Sequence, residues 1–154
     1  MSATRKAVTV LVADDDEDDR GFIQRAWLTS RGLDKLRFVE DGEELIDYLY
    51  HTGKYSDLVS APRPAVILLD LNMPRKSGPE ALQEIKAAPE LRQIPIIVLT
   101  TSRDQEDIDS SYDLGASSYI VKPRTFGALV QLVKVLGTYW IDIAHLPTAN
   151  VRSS

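Results

Sequence analysis

The sequence predicts an α/β domain in which five parallel strands are covered on both faces by helices. Three observations carry this. Short, β-branched apolar runs recur along the chain, bounded by turn residues. Amphipathic segments of helical length fall between them. The runs lack polar alternation, as expected of strands buried on both faces. The 154 residues suit one domain with a sizeable core.

Residues 8–13 read as the first strand. Residues 18–31 follow as a helix, with Phe22, Ile23, Ala26 and Trp27 on one stripe and Gly32 as the stop. Residues 35–39 form a weaker strand. Residues 43–50 form a helix with Leu45, Ile46 and Leu49 inward. The connection over 51–64, with Gly53, Pro62 and Pro64, is expected on the surface. Residues 65–69 are the clearest central strand. Residues 80–87 read as a helix ended near Pro89, 94–99 as a buried strand, and 104–114 as a helix closed by Gly115. Residues 118–121 are the last strand and 126–141 the last helix. The expected domain spans 6–145, with 146–154 a frayed tail. Strands alternating with helices imply right-handed parallel crossovers. The expected strand order is 2-1-3-4-5, a doubly wound, flavodoxin-like sheet.

Such sheets bind ligands beyond the carboxyl ends of their strands, where strand order reverses. Here strand one ends in Asp14, Asp15 and Asp16, and strand three in Asp70. Strand four ends in Thr100 and Thr101, and strand five in Lys122 and Pro123. No packing rule would send acids, a hydroxyl and a cation to one edge. Clustered carboxylates repel unless neutralised. Oxygen ligands without His or Cys suit a hard cation, and Mg2+ fits best. Lys122 and Thr100 could hold a phosphoryl group, and a carboxylate is a covalent phosphoryl acceptor. Asp16 to Asp19 read mainly as acids capping the first helix.

Composition narrows the field. A net charge of −5 is a poor match for nucleic-acid backbones. The chain has no cysteine, which excludes disulfides, thiolate catalysis and zinc–thiolate sites. The apolar runs read as too short for a membrane span, and residues 1–13 lack a cleavage-site pattern, so the expected location is the cytoplasm.

The runs Val12-Ala13-Asp14-Asp15, Leu69-Asp70-Leu71-Asn72-Met73-Pro74 with Gly78, Leu99-Thr100-Thr101-Ser102 and Tyr119-Ile120-Val121-Lys122-Pro123 resemble the receiver domain of two-component response regulators. The resemblance covers nearly the whole chain, in order. It implies that Asp70 accepts phosphate from a histidine kinase or histidine phosphotransfer protein. It implies that Asp15, Asp70 and the backbone carbonyl of Asn72 hold magnesium, with Asp14 acting through water. Thr100 would bond the phosphoryl oxygen, Tyr119 would turn inward as Thr100 moves, and Lys122 would pair with the phosphoryl group. Pro123 would set the Lys122 loop through a cis bond, and Thr101 would leave room at the site. Ser102 and Asn72 would tune how long phosphate survives. Gly78 is expected to supply a positive φ before the third helix.

Tyr48-Leu49-Tyr50, Gly53, Tyr55, Pro62-Arg63-Pro64, Asn72-Met73-Pro74-Arg75-Lys76 and the stretch from Tyr139-Trp140 to Leu146-Pro147 are similar to single-domain regulators paired with cyanobacterial and bacterial phytochromes. That implies a light-sensing histidine kinase as partner. The residues after the last helix are too few for a DNA-binding unit, so the signal is expected to leave by protein–protein contact. Tyr139, Trp140, Ile141 and Ile143 form an apolar cluster, expected to be a homodimer interface.

Three rival readings remain open. An aspartyl-phosphate phosphatase would need a second acid two residues after Asp70, where Asn72 stands. A pseudo-receiver would work without phosphate and need no intact Asp15, Asp70, Thr100 and Lys122. A flavodoxin-like cofactor binder would need a Gly-rich loop, whereas the eight glycines are never clustered. The receiver reading implies no enzyme activity beyond slow self-dephosphorylation.

Overall fold

The computed structural model describes residues 8–32, 35–57 and 61–147. The expected domain start at residue 6, and the expected frayed tail from 148 onward, lie outside the described residues.

Five strands form one parallel sheet in the order β2-β1-β3-β4-β5. The central strands, β1 (Thr9–Ala13), β3 (Val66–Leu69) and β4 (Ile96–Thr100), are buried along their whole length. The flanking strands, β2 (Lys35–Val39) and β5 (Ser118–Val121), are mostly half-buried. This matches the gradient from wholly apolar to mixed sequence. β4 starts later than expected because Pro95 has no N–H to give the ladder. Its carbonyl still accepts from Ile67 at 3.0 Å.

Alternate residues of the strands face two separate cores. On one face Leu11, Ile67, Leu69, Ile96 and Val98 pack with Leu45, Tyr48, Leu82 and Ile85. These come from α2 (Gly42–Tyr50) and α3 (Gly78–Ala87). On the other face Val10, Val12, Leu68, Ile97 and Leu99 pack with Ile23, Ala26 and Trp27 of α1 (Glu17–Ser30) and with Leu129, Val133 and Leu136 of α5 (Phe126–Gly137). α4 (Gln105–Asp113) is the most loosely held, with Ser111 its one buried residue.

Local chemistry sets the helix ends. Asp16 caps α1 by accepting from Asp18 N and Asp19 N, and Asp41 caps α2 through Glu44 N. Ser77 and Glu80 form a capping box, so α3 starts two residues earlier than expected. Gly32 and Gly115 stop α1 and α4 in the left-handed region, at φ +71° and +109°.

Four expectations need correction. Phe22 is 42% exposed rather than on the buried stripe of α1. The 51–64 connection is anchored rather than simply superficial: Ala61 is fully buried, and the Tyr48 hydroxyl donates to Pro62 O at 2.8 Å. The last helix changes character after Gly137 and continues as a wider π-type turn over Thr138–Ile143. There Arg31 lies so close to Gly137 that a Cβ would meet it at 2.4 Å, and it pairs with Asp142 at 2.9 Å. Finally, Phe126–Ile143 is an 18-residue helical stretch of mean hydropathy 1.3, at the lower limit for crossing a bilayer by length and composition. Here its Leu129, Val133 and Leu136 serve the second core.

Candidate functional site

Strand register assembles the site. Ala13 pairs with Leu69, so Asp14 and Asp70 leave the sheet side by side. Leu69 pairs with Val98, and Thr100 with Val121. Thr100 and Lys122 therefore rise stepwise beside Asp70. Gly78 permits this packing by its missing side chain, because a Cβ there would stand 2.3 Å from Asp70 O. Its φ is not positive, so close approach replaces the expected turn role.

Asp70 is 8% exposed. Its Oδ1 accepts from Thr100 Oγ1 at 2.9 Å and from the Asn72 backbone N–H at 3.3 Å. Its Oδ2 accepts from Lys122 Nζ at 3.0 Å. Lys122 Nζ also meets Asp14 Oδ2 at 2.7 Å and Asp19 Oδ2 at 2.6 Å. Burial alone would lower the Lys122 pKa; hydrogen bonds to Asp14 and Asp19 and the nearby carboxylate charges outweigh it and raise it. Burial pushes the Asp14 carboxyl up, against the hydrogen bonds from Lys122 and Asp16 N. Asp14 is also fixed through its backbone, whose carbonyl accepts from Arg20 Nη1 at 2.8 Å.

Asp14, Asp15 and Asp70 each offer an oxygen, all within 4.8 Å of one another. Asp15 is exposed and opens the cluster to solvent. These carboxylates outnumber the one ammonium among them. An all-oxygen, anion-rich donor set fits a hard divalent cation.

On the other side of Asp70, Tyr119 is half-buried against the first core. Its hydroxyl donates to Ser102 O at 2.9 Å, and burial raises its pKa. Ser102 Oγ donates to Asp107 at 2.6 Å and accepts from Asp104 N. Thr101 and Asn72 are exposed. The Lys122–Pro123 bond is trans, as are all described peptide bonds, so the expected cis bond is corrected. Trans is the lower-energy form even before proline.

The expected interface cluster divides. Trp140 and Ile141 pack against the chain's own second core, whereas Tyr139 and Ile143 are 51% and 59% exposed. Leu146, expected to fray, also packs against that core.

Two features escaped the sequence reading. In sequence Asp19 belongs with the capping acids, and only the fold shows it reaching Lys122 across 103 positions of sequence. Arg75 donates to the nearly buried Asp41 through Nε at 2.9 Å and Nη2 at 2.8 Å. No local pattern signals that pair.

A parallel sheet whose strand ends gather three carboxylates, a hydroxyl and an ammonium defines a class, and the sequence relatives agree. Residues 10–134 match the response regulator receiver domain, and the chain belongs to that family. Among its relatives is the response regulator Rcp1 of Synechocystis sp., 36% identical over 140 residues, covering 91% of this chain and 93% of that protein. The phosphorylated cyanobacterial phytochrome response regulator RcpA superposes with a TM-score of 0.86 at 39% identity, covering 93% of this chain and 100% of that one. The Mn(2+)-bound form of Rcp1 superposes with a TM-score of 0.82 at 35% identity, covering 92% and 99%.

Proposed function

We propose that the chain is a single-domain response regulator whose Asp70 takes a phosphoryl group from a histidine kinase or histidine phosphotransfer protein. The observation that carries this is the convergence of Lys122 Nζ and Thr100 Oγ1 on the two oxygens of Asp70. In the transfer, an Asp70 oxygen attacks phosphorus, the P–N bond to histidine breaks, and its electron pair returns to the imidazole. Phosphoryl transfer needs mainly positioning and charge neutralisation.

Asp15, Asp70 and the Asn72 carbonyl would hold magnesium, with Asp14 acting through water. When bound, magnesium supplies positive charge to the transferred group. Lys122 pairs with a phosphoryl oxygen and Thr100 donates to another, while Thr101 leaves room beside them. Tyr119 follows Thr100 and carries the change toward α4 and β5. Likeness to RcpA supports a phytochrome-type kinase as the partner. The reading is of a cytoplasmic receiver unit over residues 6–145, passing its signal by protein contact, with at most slow self-dephosphorylation. It dimerises through the outward Tyr139 and Ile143, with Trp140 and Ile141 supporting that end from within.

The test is intact mass after exposure to acetyl phosphate or phosphoramidate, with and without magnesium, on wild type and Asp70→Asn. A magnesium-dependent gain of one phosphoryl group, absent in Asp70→Asn, is expected. Uptake by Asp70→Asn would overturn the assignment.

A further inference from the structure

Lys122 carries three N–H donors, and three carboxylates meet its nitrogen. The contacts are 2.6 Å to Asp19, 2.7 Å to Asp14 and 3.0 Å to Asp70. The shortest goes to the residue with no place in the acceptor chemistry. Asp19 lies in the first turn of α1, outside the Asp14, Asp15 and Asp70 cluster.

The three partners differ in how easily they can let go. The Asp14 side chain is 2% exposed and the Asp70 side chain 10% exposed. Without the ammonium, buried Asp14 would keep only the neutral Asp16 N–H, which is costly, and Asp70 gives up its own contact only by becoming the phosphorylated group. The Asp19 side chain is 34% exposed, so water can replace the lysine there. Phosphorylation frees the N–H that Lys122 now gives Asp70, and for the ammonium to turn further toward the phosphoryl group Asp19 is the partner that can yield a second. Until it yields, it keeps the ammonium drawn toward α1. It also adds a negative charge beside the incoming anion. Both carboxylates touch one nitrogen, which places them within the roughly 4–6 Å over which charges strongly affect each other.

We propose that Asp19 is a positioning residue for Lys122, competing with the phosphoryl group for the ammonium and restraining phosphate uptake at Asp70. This rests on the reading that Asp70 is the phosphoacceptor. The competing view is that Asp19 only favours the positive end of α1, as Glu17 and Asp18 do. That role would change stability without changing phosphorylation.

The experiment measures uptake of phosphate from acetyl phosphate by intact mass, over a range of donor concentrations with magnesium present. Wild type, Asp19→Asn, Asp19→Glu and Asp70→Asn are compared, with thermal midpoints recorded alongside. Asn keeps the shape and loses the charge. Asp19→Asn is expected to lower the donor concentration for half-maximal rate about threefold to tenfold, with the maximal rate nearly unchanged. Asp19→Glu restores the carboxylate and is expected to behave as wild type. An Asp19→Asn profile identical to wild type, whatever its midpoint, would overturn the proposal, as would Asp19→Glu behaving like Asp19→Asn. Phosphate uptake by Asp70→Asn would instead remove the acceptor reading, and the role of Asp19 with it.

Discussion

A single methyl group added at Gly78 probes the packing behind Asp70. Its carbon would stand 2.3 Å from Asp70 O and 2.6 Å from Leu71 Cα. Both are backbone atoms, so no side-chain rotation relieves the clash. Carbon–oxygen contacts settle at about 3.3–3.6 Å, so the α3 start and the β3 end must part by about 1 Å. Overpacking of this kind costs about 1–3 kcal/mol. For a chain of this size that lowers the thermal midpoint by roughly 2–12 °C. The displacement falls at the acceptor itself, and a misplacement of about 1 Å costs on the order of 100-fold in rate. Gly78→Ala is therefore expected to fold with reduced stability and to take up phosphate far more slowly. Urea denaturation and intact mass after acetyl phosphate read the two effects. Gly21→Ala is the control: it lies within α1 with nothing within 4 Å of the added carbon, and it should gain up to about 1 kcal/mol from helix propensity. A Gly78→Ala protein within about 0.5 kcal/mol of wild type, phosphorylating at the wild-type rate, would refute this account.

Four further outcomes are expected. Magnesium should raise the thermal midpoint, reaching about 2.7 kcal/mol of stabilisation at 100 times its dissociation constant; Asp15→Asn should abolish most of that rise in a thermal titration. Trp140→Ala should cost less in urea denaturation than the about 3–5 kcal/mol of a fully buried tryptophan, because Trp140 packs half-buried on the second core. Ile143→Ser should leave monomer stability within about 0.5 kcal/mol and weaken self-association measured by sedimentation. Glu44 gives a pH signature. Burial alone would raise its carboxyl, but hydrogen bonds from Tyr55, the Glu40 N–H and Lys54 hold it below the ordinary glutamate range. A carboxyl depressed in the folded state stabilises above its unfolded pKa and loses that contribution as pH falls through the folded value. Glu44→Gln should therefore be destabilising by about 1 kcal/mol at neutral pH, and the difference from wild type should shrink at acid pH.

The sheet was legible because its central strands are apolar without interruption, and a parallel α/β order leaves few topologies. The positions of Asp14, Asp70, Thr100 and Lys122 followed, since each stands at or just after the end of an apolar run. Asp19 was not legible. In sequence it is one of five acids from Asp15 onward, and helix capping explains any of them. Only the register of β5 against β4, which lifts Lys122 over α1, selects it. The turn at Gly137 was hidden for a similar reason. The apolar pattern runs on through Ile143, and it is Arg31, far away in sequence, that sits against the helix there. Gly78 was correctly singled out but for the wrong cause, because sequence cannot distinguish a glycine needed for φ from one needed for room.

The pair between Arg75 and Asp41 makes the site mechanically lopsided. Arg75 follows Asp70 in the same loop, and the neighbouring Lys76 carbonyl accepts from Gly42 N at 2.9 Å. A Cβ at Gly42 would stand 2.1 Å from that carbonyl, so the two loops touch backbone to backbone. Asp41 in turn caps α2, whose Leu45 and Tyr48 are buried to within 1%. The flank of Asp70 that faces α2 is thus bolted to the core. On the opposite flank the Tyr119 N–H donates to the Tyr112 hydroxyl of α4 at 3.1 Å; α4 buries little, and segments with few buried contacts open at the lowest cost. Among the described residues, strain introduced at Asp70 therefore meets less resistance toward α4 than toward α2.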